Sequence, residues 1–445
     1  MEKYVAMVEK HRQLILDAFD YIWANPEVGY KEWKTHKYLK DAFEKLGYEL
    51  TEAGNIPGFV TTLDTGRPGP TLLIFGEMDG LLIPDHPDAD PETGAVHACG
   101  HCCQVAALLG LAAALKEPGA LDEMSGKIML CAVPAEELIE LEERMQMRKD
   151  GIIKYFGGKP EFLYRGLLDG ADLAFMVHTG GASASGCNGG SNGMVAKTVC
   201  FEGRSAHAGA APHKGINGLY AANVALSAIN ALRETFQDNS HIRVHPVITC
   251  GGSSVNAIPD KVTLESYIRG ATMEDIALVN NKVNRAIAAS AAALGANAKI
   301  VDVPGYWPRT YPLEFVQLFG QAAEQIVPFK HSPHVWGTGC SDMGDICAIM
   351  PAIHPYVGGA TGSAHGTNYQ ITDPELACVT SAKIQLLAAK ALLENGAEKA
   401  NKFVAEFVPT MESKQAYFDF VDKLDMDKRT VTYQEDGTVT LDFSN

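Results

Sequence analysis

Val96-His97-Ala98-Cys99-Gly100-His101-Cys102-Cys103-Gln104 gathers two histidines and three cysteines, all metal-ligating residue types, within nine residues. Gly100 separates Cys99 from His101 and lets the backbone turn so that both side chains aim at one point. Val105 to Leu115 follows as an alanine- and leucine-rich run that reads as a helix, and a loop rich in Pro, Asp and Gly (Pro84 to Gly94) precedes it. The stretch therefore sits at a loop-to-helix junction, where a rigid scaffold presents binding residues. Taken alone it admits a second reading, as buried structural cysteines beside an ordinary histidine. Features elsewhere in the chain weigh against that second reading.

Upstream, Thr71-Leu72-Leu73-Ile74-Phe75 is a short, largely apolar strand leading into Gly76-Glu77-Met78-Asp79-Gly80. Two acidic groups thus stand at a strand's C-terminal end, the usual place for function in an open α/β sheet. Downstream, the strand Lys127 to Val133 ends in Pro134-Ala135-Glu136-Glu137, and the strand Asp172 to Val177 closes on His178. In a parallel sheet such ends lie on one edge, which brings Asp79, Glu136/Glu137 and His178 together with Cys99 and His101. Residues 3 to 24 read as a helix halted at Asn25-Pro26, and a second helix runs from about Glu32 to Gly47. A charged helical stretch, Leu138 to Lys149, follows the acidic pair.

From Gly180 to Gly193 the composition shifts to Gly, Ser, Ala and Asn, which reads as a linker. Beyond it a small α/β sandwich is expected, with strands at 195–203, 243–250, 261–269 and near 298–303, and helices at 214–233 and 273–294. Thr372-Asp373-Pro374-Glu375 then starts a capped helix that ends before Gly396. A chain of 445 residues accords with two domains or three. The expected organisation is an α/β catalytic domain with a mainly parallel central sheet over 1–189 and 304–445, interrupted by an inserted smaller α/β domain over 190–303.

The apolar fraction of 46% and charged fraction of 20% are those of an ordinary globular protein. A net charge of −17 argues against nucleic acid as a partner, because phosphate binding needs surplus Lys and Arg. No segment is expected to approach the apolar length of a membrane span. Met1-Glu2-Lys3-Tyr4 runs into a charged helical pattern rather than an apolar signal core. With ten cysteines and no export signal, reduced thiols and a cytoplasmic setting are expected.

Two metal ions about 3.5–4 Å apart can activate a bridging water and polarise a carbonyl. Such a site needs several anionic or imidazole ligands and one carboxylate left over to take the water's proton. Glu136 and Glu137 are adjacent, so on an extended chain they point different ways: one can bind metal while its neighbour faces the substrate.

The chain resembles the dinuclear metallopeptidases of the aminoacylase and carboxypeptidase-G type. Within them it resembles the amidohydrolase branch of p-aminobenzoyl-glutamate hydrolase and indole-acetyl-amino-acid hydrolases. The matching motifs run from Asn25-Pro26-Glu27-Val28-Gly29-Tyr30-Lys31-Glu32 through Glu77-Met78-Asp79-Gly80-Leu81, His97-Ala98-Cys99-Gly100-His101 and Pro134-Ala135-Glu136-Glu137. They continue with Gly203-Arg204-Ser205-Ala206-His207-Ala208-Gly209, Asn256-Ala257-Ile258-Pro259, Ser341-Asp342-Met343-Gly344-Asp345 and Ala364-His365-Gly366.

The resemblance implies that Cys99, His101, Glu137, His178 and His365 are ligands to two divalent ions, zinc or manganese. It makes Glu136 the general base and Asp79 the residue that orients a metal-bound histidine. It makes the inserted domain a lid and a dimerisation surface, hence a homodimer, in which His207 and Asn256 stabilise the tetrahedral intermediate or bind substrate. Arg269, at the end of the strand 261–269, is expected to grip the carboxylate of an N-acyl amino acid substrate when the lid closes.

Two departures stand out. Cys102, Cys103 and Gln104 replace an aspartate, a variable residue and a histidine, which is expected to make the site softer and more oxidisable. The segment Leu138 to Leu168 is also longer than the resemblance implies and is expected to reshape the pocket. The activity implied is hydrolysis of an amide bond, set against two rivals: a catalytically silent relative that binds a small ligand, and a thiol hydrolase with Cys99 as nucleophile.

Overall fold

A computed structural model describes residues 1–182 and 184–444. The chain divides into two compact units. The first holds Met1–Gly190, Arg309–Gly337 and Ser341–Thr410, and the second holds Ser191–Pro308, Thr338–Cys340 and the chain from Met411 on.

The first unit is built on the strand Thr71–Glu77, buried along all seven of its residues. Lys127–Val133 and Leu173–Met176 flank it, both parallel, and Ala352–Ile353 adds a further parallel strand beyond the latter. On the other side Phe59–Asp64 and Thr51–Glu52 complete the sheet in antiparallel pairing. The apolar sequence of the central strand follows from its position, since a parallel strand is covered on both faces. Glu77 pairs with Val133 and Phe75 with Met176, so the three C-terminal ends are level.

The helix His101–Leu115 is buried at every residue. An apolar run of this kind makes a core helix. Val105, Leu108, Leu109 and Leu111 are each fully shielded, and each contributes about 1.5–3 kcal/mol relative to exposure. That burial anchors the first turn, where His101 sits.

Three expectations are corrected here. The single helix over 3–24 is two, Glu2–Glu9 and Arg12–Trp23, with no Gly or Pro at the break to signal it. The Gly-rich stretch read as a linker is largely strand: His178–Gly181 and Gly186–Ser191 belong to a separate sheet with Tyr356–Thr361. Small residues suit a crowded strand as well as a linker, so composition does not distinguish them. Among the described residues one helical run, Glu375–Glu406, is long and apolar enough to cross a membrane, but 78% of its apolar window is buried within the protein, which makes it a core element.

The second unit has an antiparallel sheet in which Gly193–Glu202 lies between Lys261–Gly270 and Asn297–Pro304. Buried and half-buried residues alternate along Lys261–Gly270, the signature of a sheet with one covered face. The helices Gly218–Leu232 and Met273–Ala293 pack on this sheet and carry side-chain N-caps, from Asn217 to the Tyr220 N–H and from Thr272 to the Asp275 N–H. The C-terminal segment, expected in the first domain, clusters with this second unit instead, because Met426–Arg429 pairs with Asn297–Pro304.

Candidate metal centre

The three level strand ends deliver their acidic groups and His178 to one edge, and the first turn of the helix His101–Leu115 joins them. Gly100, at the N-cap, adopts φ +91°, and a Cβ there would lie 2.5 Å from the Tyr369 hydroxyl and 2.9 Å from Thr179 Cβ. Only glycine makes this turn in this space. Ala135, just before the acidic pair, has φ +57°, and His365 has φ +63°. Non-glycine residues held in the left-handed region cost roughly 1–2 kcal/mol each and persist where the surroundings enforce them.

The result is a cluster with three groups of ligand atoms, each group within 4.8 Å of one another: Cys99, His101 and His178; Cys99, Glu137 and His365; and Glu77, His101 and Glu136. Cys99 Sγ lies 3.5 Å from His178 Nε2. His365 Nε2 lies 3.1 Å from Glu137 Oε1, and His101 Nε2 lies 3.9 Å from Glu136 Oε2. Asp79 serves two neighbours: Oδ1 accepts from His101 Nδ1 at 2.9 Å, and Oδ2 accepts from the Glu137 N–H at 2.8 Å. Glu32 Oε1 accepts from the Ala135 N–H at 2.8 Å, and Arg144 Nη2 donates to the Glu137 carbonyl at 2.5 Å. The loop carrying the acidic pair is thereby held from three sides. Glu136 and Glu137 are buried, Cys99 and His178 half-buried and His365 exposed, so the cluster opens at one end.

Electrostatics divides these groups. Burial disfavours the His101 cation, yet Cys99, Glu77 and Asp79 outweigh it and hold the ring well above the usual histidine range. Burial also opposes ionisation of Asp79, but its interactions with His101 hold it down to about 2. Burial, then the neighbouring His101, pushes His178 down to about 4, leaving the neutral imidazole that ligates metals. Burial, with Glu77 and Glu137 close by, raises Glu136 well above the carboxylate range. The Cys99 thiol is pushed up by burial and by Glu137.

Two atoms test whether ions fit. His101 Nε2 and Glu137 Oε1 are buried and make no hydrogen bond, and their near neighbours are other candidate ligand atoms, Glu77 Oε2 at 3.2 Å and His365 Nε2 at 3.1 Å. Buried polar atoms normally find partners, and thiolate, imidazole and carboxylate donors converging on such atoms suit a divalent transition-metal ion or zinc. The residues fit a metal pair.

The other predicted positions fall elsewhere. Cys102 and Cys103 point into the main hydrophobic cluster, at 0% and 1% exposure. This corrects the expectation of a softer, more oxidisable site, because reagents do not reach a buried thiol readily. Gln104 holds Glu77, with Nε2 donating to Oε2 at 2.7 Å. In the second unit, the exposed His207 and Asn256 sit on adjoining loops: His207 bridges Ala257, and the Ala208 N–H donates to the Asn256 carbonyl at 2.9 Å. Arg269 lies on the half-buried face of its strand, its guanidinium 5.3 Å from the Tyr267 ring centre and Nη1 3.4 Å from the Thr338 carbonyl.

Sequence reasoning missed Glu32, Arg144 and Lys159 as neighbours of this cluster. Only Glu32 had a signal, as the end of the Asn25–Glu32 motif. Arg144 and Lys159 lie in the lengthened segment and look there like ordinary surface charges.

A model of peptidase family M20/M25/M40 matches residues 73–389. The chain is 27% identical to thermostable carboxypeptidase 2 of Saccharolobus solfataricus over 320 residues, 70% of this chain and 77% of that protein. It is 32% identical to one component of the p-aminobenzoyl-glutamate hydrolase of Escherichia coli over 258 residues, 54% of each chain. It is 31% identical to indole-3-acetyl-aspartic acid hydrolase of Enterobacter agglomerans, covering 56% of this chain and 55% of that one. Among solved structures, the fold matches a dinuclear metal-binding peptidase from Bacillus subtilis with a TM-score of 0.64 at 20% identity, covering 86% of this chain and 98% of the other. The family match spans well over half of the chain, and the chain therefore belongs to peptidase family M20/M25/M40, a family of hydrolases that act on amide bonds.

Proposed function

We propose that this protein uses two divalent ions, zinc or manganese, to hydrolyse the amide bond of an N-acyl or N-aminoacyl amino acid. The observation that carries this reading is the sharing of Cys99 between two ligand groups, one with His101 and His178, the other with Glu137 and His365. A donor common to both groups would suit two ions lying side by side. Those five residues would hold the pair, which would supply an acidified water and polarise the scissile carbonyl.

Glu136 is the general base. Its carboxylate takes the proton of the attacking water and returns it to the leaving amine. Burial beside Glu77 and Glu137 raises its proton affinity, which suits a group that must carry a proton between two steps. Asp79 acts through His101: by accepting at Nδ1 it keeps the proton on that nitrogen, so that a metal binding at Nε2 would displace the proton there. Reading Cys99 as a nucleophile fits less well, since it leaves Glu137, His178 and His365 without a role beside it.

His207 and Asn256 stabilise the oxyanion or hold substrate, and Arg269 grips the substrate's carboxylate. Relatives named for p-aminobenzoyl-glutamate, indole-3-acetyl-aspartic acid and Xaa-Arg dipeptides support a substrate with an amino-acid portion. We assign residues 190–303 as lid and dimerisation surface of a homodimer. All ten cysteines are free, which suits the cytoplasm.

Metal analysis combined with hydrolysis of N-acyl amino acids before and after chelation tests the reading. The expected result is about two ions per chain and activity that is lost on chelation and restored by zinc or manganese. Full activity in a metal-free sample would falsify it.

A further inference from the structure

The segment between Glu137 and the strand Leu173–Met176 contributes a side chain to the cluster that no motif signals. Lys159, in the helix Gly158–Tyr164, is 0% exposed. Its ammonium donates to Glu77 Oε1 and to Asp342 Oδ1, and its backbone N–H donates to Asp342 Oδ2 at 2.9 Å. Glu77 is held from its other side by Gln104. Between these two anchors, Glu77 Oε2 stands 3.2 Å from His101 Nε2, the ring nitrogen that Asp79 does not occupy. That ring nitrogen makes no hydrogen bond.

We propose that Lys159 is a positioning residue for the metal centre: it fixes Glu77 beside the metal-facing nitrogen of His101. The proposal rests on the dinuclear reading above and adds to it the lengthened segment as part of the site.

Three observations favour this over a purely structural ion pair. First, a lysine buried against two carboxylates is a costly way to fill a core, and apolar side chains of similar volume are often as stable or more so. Second, the cluster adjoins His101 rather than lying within the apolar layer. Third, Lys159 cannot shift independently of the acidic pair. Gly158 presses on Pro134, where an added Cβ would meet the carbonyl oxygen at 1.7 Å, and its N–H donates to the Ala135 carbonyl at 3.1 Å. Lys159 is thus locked to the loop that carries Glu136 and Glu137. Arg144, from the same segment, donates to the Glu137 carbonyl. The segment therefore braces both sides of the centre with buried cations. A fixed Glu77 limits the tilt of the His101 ring and keeps negative potential beside its Nε2, which favours a cation there.

The test uses the full chain loaded with cobalt(II), whose d–d and thiolate charge-transfer absorption reports the ligand sphere. The single substitution Lys159→Met strands two buried carboxylates. Lys159→Met/Asp342→Asn removes one positive and one negative charge, so the cluster keeps its net charge while Glu77 loses its tether. We expect the melting temperature of the metal-free double variant to stay close to the parent's and its cobalt d–d spectrum to change. Its kcat should fall roughly 10- to 100-fold with KM within about threefold. A folded double variant with the parental spectrum and kcat overturns the proposal. If the double variant does not fold, Glu77→Gln, which keeps the side-chain shape, decides the matter: it should give the same spectral change and kcat loss, and an unchanged spectrum and kcat overturns the proposal equally. Failure of the dinuclear reading shows differently, as a parent protein that binds no cobalt at all, and it removes this proposal with it.

Discussion

The two units treat their polar residues in opposite ways. In the first, Asp79, His101, Glu136 and Glu137 are buried, and Asp79, His101 and the backbone of the acidic pair are tied by hydrogen bonds to neighbours that are themselves fixed. In the second, His207 and Asn256 are exposed and Arg269 half-buried, held by a few local contacts. A buried polar group must find its partners within the fold, so folding itself sets its geometry. An exposed group is satisfied by water and is organised by whatever it meets. Losses in the first unit should therefore appear in kcat and metal content, and losses in the second in substrate preference.

The strongest way to break this contrast is at Glu136. Glu136→Gln should lower turnover by about 10²–10⁴-fold while metal content stays parental, whereas Glu137→Gln should lose metal. Near-normal turnover in Glu136→Gln, measured beside its metal analysis, would remove the base assignment. One step outward, Asp79→Asn disturbs the hydrogen bonds to both His101 and the Glu137 N–H. A loss of roughly 10- to 100-fold in metal affinity or activity is expected. Parental metal affinity and turnover in that variant would mean that the buried tethers are not what pre-organises the site.

In the second unit the expected effect is smaller and of another kind. The parent enzyme should prefer an N-acyl amino acid over its carboxamide by roughly tenfold, on the order of 1.4 kcal/mol, and Arg269→Ala should abolish that preference. Equal rates for acid and carboxamide in the parent would leave Arg269 without a substrate role. The smallest effect on activity is expected for Cys102→Ser and Cys103→Ser. Both side chains lie in the hydrophobic cluster, so each serine should cost about 1–3 kcal/mol in stability by burying a hydroxyl, with metal content unchanged. Thermal melts paired with metal analysis check this, and metal loss in either variant would place a thiol among the ligands.

Much of the catalytic unit was legible because its signals are local. Apolar strands ending in Glu77-Met78-Asp79 and Glu136-Glu137 declare a parallel sheet with acidic ends, and Gly100 between Cys99 and His101 declares a turn that only glycine makes. The break at Lys10-His11 and the strand Gly186–Ser191 were not legible. Nothing in their composition separates a helix break from a continuous helix, or a glycine-rich strand from a linker.

The sequence by itself determined the parallel-sheet architecture, the inserted α/β unit and the residue types that converge on one sheet edge, because periodicity, strand ends and turn residues act over short distances. The tertiary structure alone decided which carboxylate faces which imidazole. It also drew Lys159 into an ion cluster with Glu77 and Asp342, the latter 183 positions away in the chain. The physical reason is the same in each case. The energy of a buried charge depends on the partners that surround it in three dimensions, and no local pattern in the chain records them.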